Sequence, residues 1–305
     1  MMSHPLSSLR CLGATGPLVF LLLGLAGLLA APSSSASAQN TIAVTSDQDS
    51  GTGTLRDAIA SAAAGDTITF DANLFSAGAA TITLSSTIFI SQDLTIEGPD
   101  LTAGNRLTIS GGNVVRLFQL SGSSSVVFRR IHFTGGFSNQ GGAIWTRFNS
   151  GLSLTIEDCR FSSNSASSIG GALFIESVQD LTIRRSLFED NRASVHGGAI
   201  AITNTETLIV NSTFVGNQAQ NNEGGAVWRN IGGGFVVTLR HCLVTENSAG
   251  TFGGGLMNKE FGRFRSGPNG TNAGVQLEGT IVHNNSAPSS ANTQTFTSGG
   301  HNLIT

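Results

Sequence analysis

Tyrosine is absent from this 305-residue chain, and lysine occurs once, as Lys259. Charged residues make up 11% of the composition, against roughly 25% in an average soluble domain. A formal net charge of −3 leaves no basic footprint for nucleic acid and no polybasic membrane patch. The three cysteines and six histidines form no set with zinc spacing, and neither a phosphate loop nor a nucleophile elbow occurs. The residues therefore call for no metal, no cofactor and no catalytic nucleophile. Long apolar runs are also missing, with one exception between Leu12 and Ala31.

That exception reads as the core of a secretory signal. Arg10 supplies the positive start, residues 18–29 the apolar stretch, and Ala36-Ser37-Ala38 a small-x-small cleavage site before Gln39. An uncleaved anchor helix is the competing account, but Ser and Ala stand where a charged stop would be. Residues 1–38 are thus expected to be removed, leaving no transmembrane span and a chain secreted to the extracellular space or the outer-membrane surface. Of the cysteines, Cys159 and Cys242 then remain. An oxidising compartment would normally favour joining them.

Glycine, by contrast, is abundant, with 39 residues. Gly141-Gly142-Ala143-Ile144 recurs as Gly170-Gly171-Ala172-Leu173, Gly197-Gly198-Ala199-Ile200, Gly224-Gly225-Ala226-Val227 and Gly253-Gly254-Gly255-Leu256, at intervals of 27 to 29 residues. Between these lies an apolar residue followed three later by Asn: Phe161/Asn164, Phe188/Asn191, Phe214/Asn217, Val244/Asn247 and Val282/Asn285. Apolar residues also recur seven and five positions before the landmark, as in Leu154/Ile156 and Leu181/Ile183. A smaller residue recurs two before it: Cys159, Ser186, Ser212, Cys242 and Thr280.

Alternation by two, then a one-residue phase change, specifies short strands joined by bends, and the period of 3.6 that helical repeats need is missing. A unit of about 27 residues cannot bury its own apolar face, so copies must stack. The fold class expected is all-β: a right-handed parallel β-helix with a short N-terminal capping helix. Stacking at about 4.8 Å per coil turns each repeated position into a ladder of like residues. Asn164, Asn191, Asn217, Asn247 and Asn285 are expected to form a structural ladder, with carboxamides bonded rung to rung and backbones suited to a left-handed corner. The glycine pairs are expected to supply tight corners. Cys159 and Cys242 fall three rungs apart, roughly 14 Å, beyond the ~7 Å that a disulfide spans, so both should be buried free thiols. On one outer face Arg129-Arg130, Glu157-Asp158 and Arg184-Arg185 should pair across rungs.

The boundaries expected are a cap over 39–71, with its helix between Thr54 and Ala64, and the β-helix over 72–305, regular over about 126–290. The step from Val244 to Val282 is longer than the repeat, and the excess over 258–273 should protrude as a loop. Within it Lys259, Phe261, Arg263, Phe264 and Arg265 interleave cations with aromatics and are the candidate binding residues; a tolerated insertion without a partner is the more economical account. The C-terminus carries no polar cap and reads as incomplete, so the chain is either a monomer or part of a longer one.

The ordered Gly-Gly-Ala-Ile/Leu/Val and Phe-x-x-Asn motifs resemble the repeat of the polymorphic outer membrane proteins, over about residues 131–290. The stretch from Gly53 through Ile68 resembles the cap of exported pectin-lyase-like repeat proteins. The resemblance implies a right-handed helix at the cell surface, often adhesive, with host-surface, matrix or envelope glycans or proteins as partners. No C-terminal membrane barrel follows, so anchoring is not implied.

The expected function is a non-catalytic, adhesin-like or passenger-like surface module. The alternative is a carbohydrate-active enzyme, either a pectate-lyase-like polysaccharide lyase or a glycoside hydrolase. Such chemistry needs clustered acids, and the nearest approach, Glu157-Asp158, is flanked by arginines. A structural envelope fragment is a third account. His196 before Gly197 reads as a variable corner residue, and Trp145 and Trp228 as corner packing in preference to sugar platforms.

Overall fold

A computed structural model describes residues 39–100, 104, 106–147, 151–231, 235–260, 274–289, 293–294, 296–298 and 302–304. The expected signal at 1–38 lies outside the described residues.

Short strands stack in parallel into four sheets of 10, 9, 8 and 5 strands. One coil shows the plan. Ser153–Glu157 lies on the ten-stranded long face, Arg160–Ser162 on the nine-stranded phenylalanine face, Ser165–Ile169 on the five-stranded short face, and Leu173–Glu176 on the eight-stranded Gly-Gly face. The next coil repeats the order with Asp180–Arg184, Leu187–Glu189, Arg192–Ala193 and Ile200–Thr203. The chain is an all-β, right-handed parallel β-solenoid with one short helix near its N-terminus.

The register is that of the repeat. Leu154 pairs with Val126 and Leu181, and Ile156 with Phe128 and Ile183, all with side chains turned into the core. Along the phenylalanine face, Phe133, Phe161, Phe188 and Phe214 are fully buried, with successive ring centroids 4.6, 4.8 and 4.8 Å apart and planes within 14° of parallel. This spacing is set by the rung distance, and such contacts add about 0.5–1.5 kcal/mol each beyond burial.

The capping helix, Leu55–Ser61, begins at Thr54, whose hydroxyl accepts from the Asp57 amide at 3.3 Å. The Asp57 carboxylate accepts from the amide of Gly53, the residue before the cap, at 2.9 Å, a variant of the capping box. Leu55, Ala58 and Ile59 turn inward. Thr41–Val44 and Asp66–Phe70, on either side of the helix, pair in parallel with each other and extend the long face.

Four corners join the faces, and each has a residue in the left-handed region: Asp158 (φ 55°), Ser163 (55°), Gly170 (67°) and Ser177 (52°) in one coil. Two sequence expectations need correction here. The ladder asparagines are not the left-handed residues. Their predecessors Ser163, Asp190, Gly216, Glu246 and Asn284 are, which turns each Asn inward to bond the backbone. The paired glycines also do two different jobs. The first of each pair takes positive φ, whereas the second does not. On the second, a Cβ would meet the next coil's carbonyl, 2.1 Å from Gly198 O for Gly171 and 2.1 Å from Gly225 O for Gly198.

The protruding segment is also shorter than expected at its start. Asn258 and Lys259 belong to strand Leu256–Glu260, paired with Arg229 and Asn230 of Val227–Ile231. The physical reason is at Asn258, whose side chain is buried and accepts from the fully buried Arg229 guanidinium. A buried charge needs such partners, and this contact holds the strand beyond Met257.

Candidate binding face

Two polar ladders flank the phenylalanine stack. Asn191 takes both the backbone N–H and the Nδ2–H of Asn164 on its Oδ1, at 3.1 and 3.0 Å, and donates through Nδ2 to Phe161 O at 2.9 Å and to Asn217 Oδ1 at 3.0 Å. Asn217, Asn247 and Asn285 continue the chain of bonds. Opposite, Ser186 Oγ accepts from the Cys159 amide at 3.2 Å, Ser212 Oγ from the Ser186 amide at 3.2 Å, and Thr280 Oγ1 from the Cys242 amide at 3.3 Å. Cys159 and Cys242 are free, buried thiols in this column. Burial pushes the Cys159 thiol up to about 12 and Cys242 to about 11. Neither ladder faces solvent, so both serve the fold and not a ligand.

The outward side chains of the Gly-Gly face form a column of their own. Trp145, Phe174, Ala201, Trp228 and Met257 stand in register. With Ile169 and Phe252 from the adjoining short-face edge they make a second apolar cluster, outside the coil. Trp228 retains only 5% exposure, and the Trp145 ring is covered by the Arg116 guanidinium 4.5 Å above its centroid. Arg116 is pinned by Gln140 O, Gly141 O and Ser138 Oγ, and burial lowers its pKa to about 10. Both tryptophans thus pack against protein.

In this cluster the structure brings together residues that the repeat left unconnected. His196 and Glu223 occupy the position before the first glycine on adjacent coils. Ala201, small where its neighbours are aromatic, leaves room for the His196 ring to stack on Trp228 at 4.4 Å and 11°. The buried Glu223 carboxylate accepts from Trp228 Nε1 at 3.2 Å and from Lys259 Nζ at 3.0 Å, with His196 Nδ1 3.6 Å away. His196 Nε2 lies 3.4 Å from Asn222 Nδ2, and Asn222 Oδ1 accepts from the Thr251 hydroxyl at 3.2 Å. Burial lowers the His196 pKa; Glu223 raises it and Lys259 lowers it again. The chemistry available is that of a neutral imidazole beside a carboxylate already neutralised by an ammonium. His196 is therefore more than the variable corner residue expected. Outward positions are held to repetition far less strictly, so no column in the sequence pointed to it.

Of the candidate binding residues, Lys259 sits in this cluster, while Phe261, Arg263, Phe264 and Arg265 lie outside the described residues. The charge pairs form on the long face. Glu157 bonds Arg129 at 3.0 Å and also Arg185, and Asp158 bonds Arg185 at 2.7 Å. Arg130 instead reaches back to Glu97, because its left-handed corner turns it toward the preceding coil. The arginines hold the Glu157 carboxyl below its usual range against the opposing effect of burial. Among the described residues no group of three His, Cys, Asp or Glu side chains is placed to hold a metal ion, and no helix is long and apolar enough to cross a membrane.

With this geometry in hand, the comparisons place the fold. The family model described as "Right handed beta helix region" matches residues 58–249, so the chain belongs to the right-handed β-helix family. Among solved structures it is similar to pectate lyase Pel9A, at TM-score 0.51 and 12% identity, covering 81% of this chain and 64% of that one. At that identity the likeness is one of fold. No curated protein matches the sequence.

Proposed function

We propose that the protein is a non-catalytic, exported β-helix module of the adhesin-like or passenger-like kind, presented at the cell surface or released from it. The repeat motifs resembling those of polymorphic outer membrane proteins support this reading, as does the export signal read in the sequence. The observation that carries it is the engagement of the acids in the two side-chain clusters described above, together with the burial of the thiols. Glu223 is neutralised by Lys259, Glu157 and Asp158 are bound by arginines, and the two thiols are buried with raised pKa. Groups committed to holding the surface together are poor proton-transfer catalysts, which need a poised pKa and access to substrate.

The alternative, a polysaccharide lyase or hydrolase, is favoured by the structural likeness to a pectate lyase. One experiment separates the two. The purified mature chain is incubated with a panel of neutral and acidic polysaccharides, with and without calcium, while its retention on cells and immobilised glycans is measured in parallel. Retention without new reducing or unsaturated ends supports the surface module. Calcium-dependent appearance of unsaturated ends overturns it.

A further inference from the structure

At the corner between the long and phenylalanine faces, on the N-terminal coils, a cleft of about 130 Å³ is lined by Arg106, Arg130, His132, Asp158 and Arg160 over a floor of Leu107 and Ile131. Three successive coils supply it: Arg106 opens Arg106–Ser110, His132 lies in Ile131–Thr134, and Arg160 opens Arg160–Ser162. Leu107 pairs with Ile131, which puts Arg106 beside Arg130, and His132 pairs directly with Arg160. Arg106 and Arg130, like charges abutting on neighbouring strands, repel unless an anion intervenes.

The acids nearby are already spoken for. Arg130 is fixed by Gly98 O and Pro99 O, each at 3.1 Å, and by Glu97. Arg160 is held by Glu189, and Asp158 by Arg185. Arg106, exposed at the mouth, has no side-chain hydrogen bond or ion pair among the described residues. His132 adds no charge of its own near neutrality. Burial first, then the charges of Arg160 and Arg106 against the opposing Glu189, bring its pKa down to about 4. Its Nε2 meets Ser162 Oγ at 2.7 Å, and its Nδ1 lies 3.5 Å from Thr108 Oγ1.

We propose that this cleft binds one oxyanion, a carboxylate or sulfate, carried by an acidic glycan, with Arg106 as its direct ligand and Arg130 and Arg160 as the fixed cationic walls. The glycan as carrier rests on the surface-binding reading above; the oxyanion site does not. A guanidinium offers paired donors that match either anion. Because the mouth is open, binding weakens as salt rises.

The test uses the full mature chain with four probes: sodium sulfate, a sulfated oligosaccharide, an oligouronate and a neutral oligosaccharide of equal length. Binding is read by calorimetry and by the pH titration of the His132 ring in NMR spectra. The two acidic oligosaccharides should bind and raise the His132 pKa, and the neutral one should do neither. Arg106→Gln should weaken acidic binding about tenfold, whereas Arg184→Gln, exposed on the long face outside the cleft, should leave it unchanged. Equal binding of acidic and neutral oligosaccharides, or equal effects of the two substitutions, overturns the site. Sulfate that binds and raises the His132 pKa, with acidic oligosaccharides no tighter, overturns the glycan assignment. Cell retention that survives Arg106→Gln unchanged leaves the surface reading standing and removes this site from it. Arg106-dependent sulfate binding without any cell or glycan retention removes the surface reading alone.

Discussion

The two corners that bracket the phenylalanine face solve one problem with different chemistry. On one side every described rung from Asn164 to Asn285 uses asparagine; on the other, Cys159, Ser186, Ser212, Cys242 and Thr280 take turns. Both columns satisfy the backbone N–H of the preceding coil. The asparagine does more. Its Nδ2 also donates forward to the next carboxamide and back to a phenylalanine carbonyl, so one side chain bonds to the coils on both sides of its own. No other side chain of that size carries an acceptor and two donors. The opposite corner needs only an acceptor and a single donor, as when Ser186 Oγ donates to Arg184 O at 2.8 Å or Cys159 Sγ to Glu157 O at 3.2 Å. A hydroxyl or a thiol meets that demand. Variation in a repeat column thus reports how many bonds its side chain must make.

Phe188 lies between the corners and sets the upper bound for either. Phe188→Ala removes a fully buried ring stacked on two others and should lower unfolding free energy by about 4 kcal/mol, measured by urea denaturation. A cost below that of a corner substitution would mean that the ladders, and not the stack, dominate.

The thiol corner should respond to alkali where the asparagine corner cannot. Both thiols have folded pKa values raised above the ordinary 9.0, to about 12 and about 11. Their contribution to stability is therefore complete below about pH 9 and is lost as pH rises through 11 to 12. Unfolding followed against pH should show a decline above pH 9 that is absent from a Cys159→Ser, Cys242→Ser double variant. Cys159 and Cys242 of the native protein at pH 8 should also resist a thiol reagent and take up label on denaturation. Rapid native labelling at either position would mean that the corner is open.

The smallest effect expected is that of Cys159→Ser alone. Serine already fills the same position on the next two coils, so the change should stay within about 1 kcal/mol by the same denaturation measurement. A larger loss would show that the thiol packs in a way a hydroxyl cannot.

What the sequence discloses follows from this logic. Inward positions repeat because each coil meets the same neighbours, so the pairing of Leu154 with Leu181 and the stacking of Phe161 on Phe188 were legible from spacing alone, as was the separation of Cys159 from Cys242. The backbone of the corner was not. A residue that bonds inward and its left-handed predecessor sit side by side, and Asn suits either role, so Ser163 and Asp190 gave no sign that they carry the positive φ. Outward positions are held to repetition far less strictly. His196, Glu223 and Lys259 come from three coils and share no column motif, and Arg106 and Arg160 are likewise scattered in sequence. Such clusters are visible only once the coils are stacked.

The most direct test of the account compares Asn191→Ala with Ser186→Ala by urea denaturation under identical conditions. Asn191→Ala strands the buried Asn164 backbone amide, one of the two Asn164 Nδ2 hydrogens and the Asn191 bond to the Phe161 carbonyl and should cost about 3 kcal/mol, whereas Ser186→Ala strands chiefly the Cys159 amide and should cost about 1 kcal/mol. Equal losses would contradict the claim that the number of coils one side chain bonds decides which corner can vary.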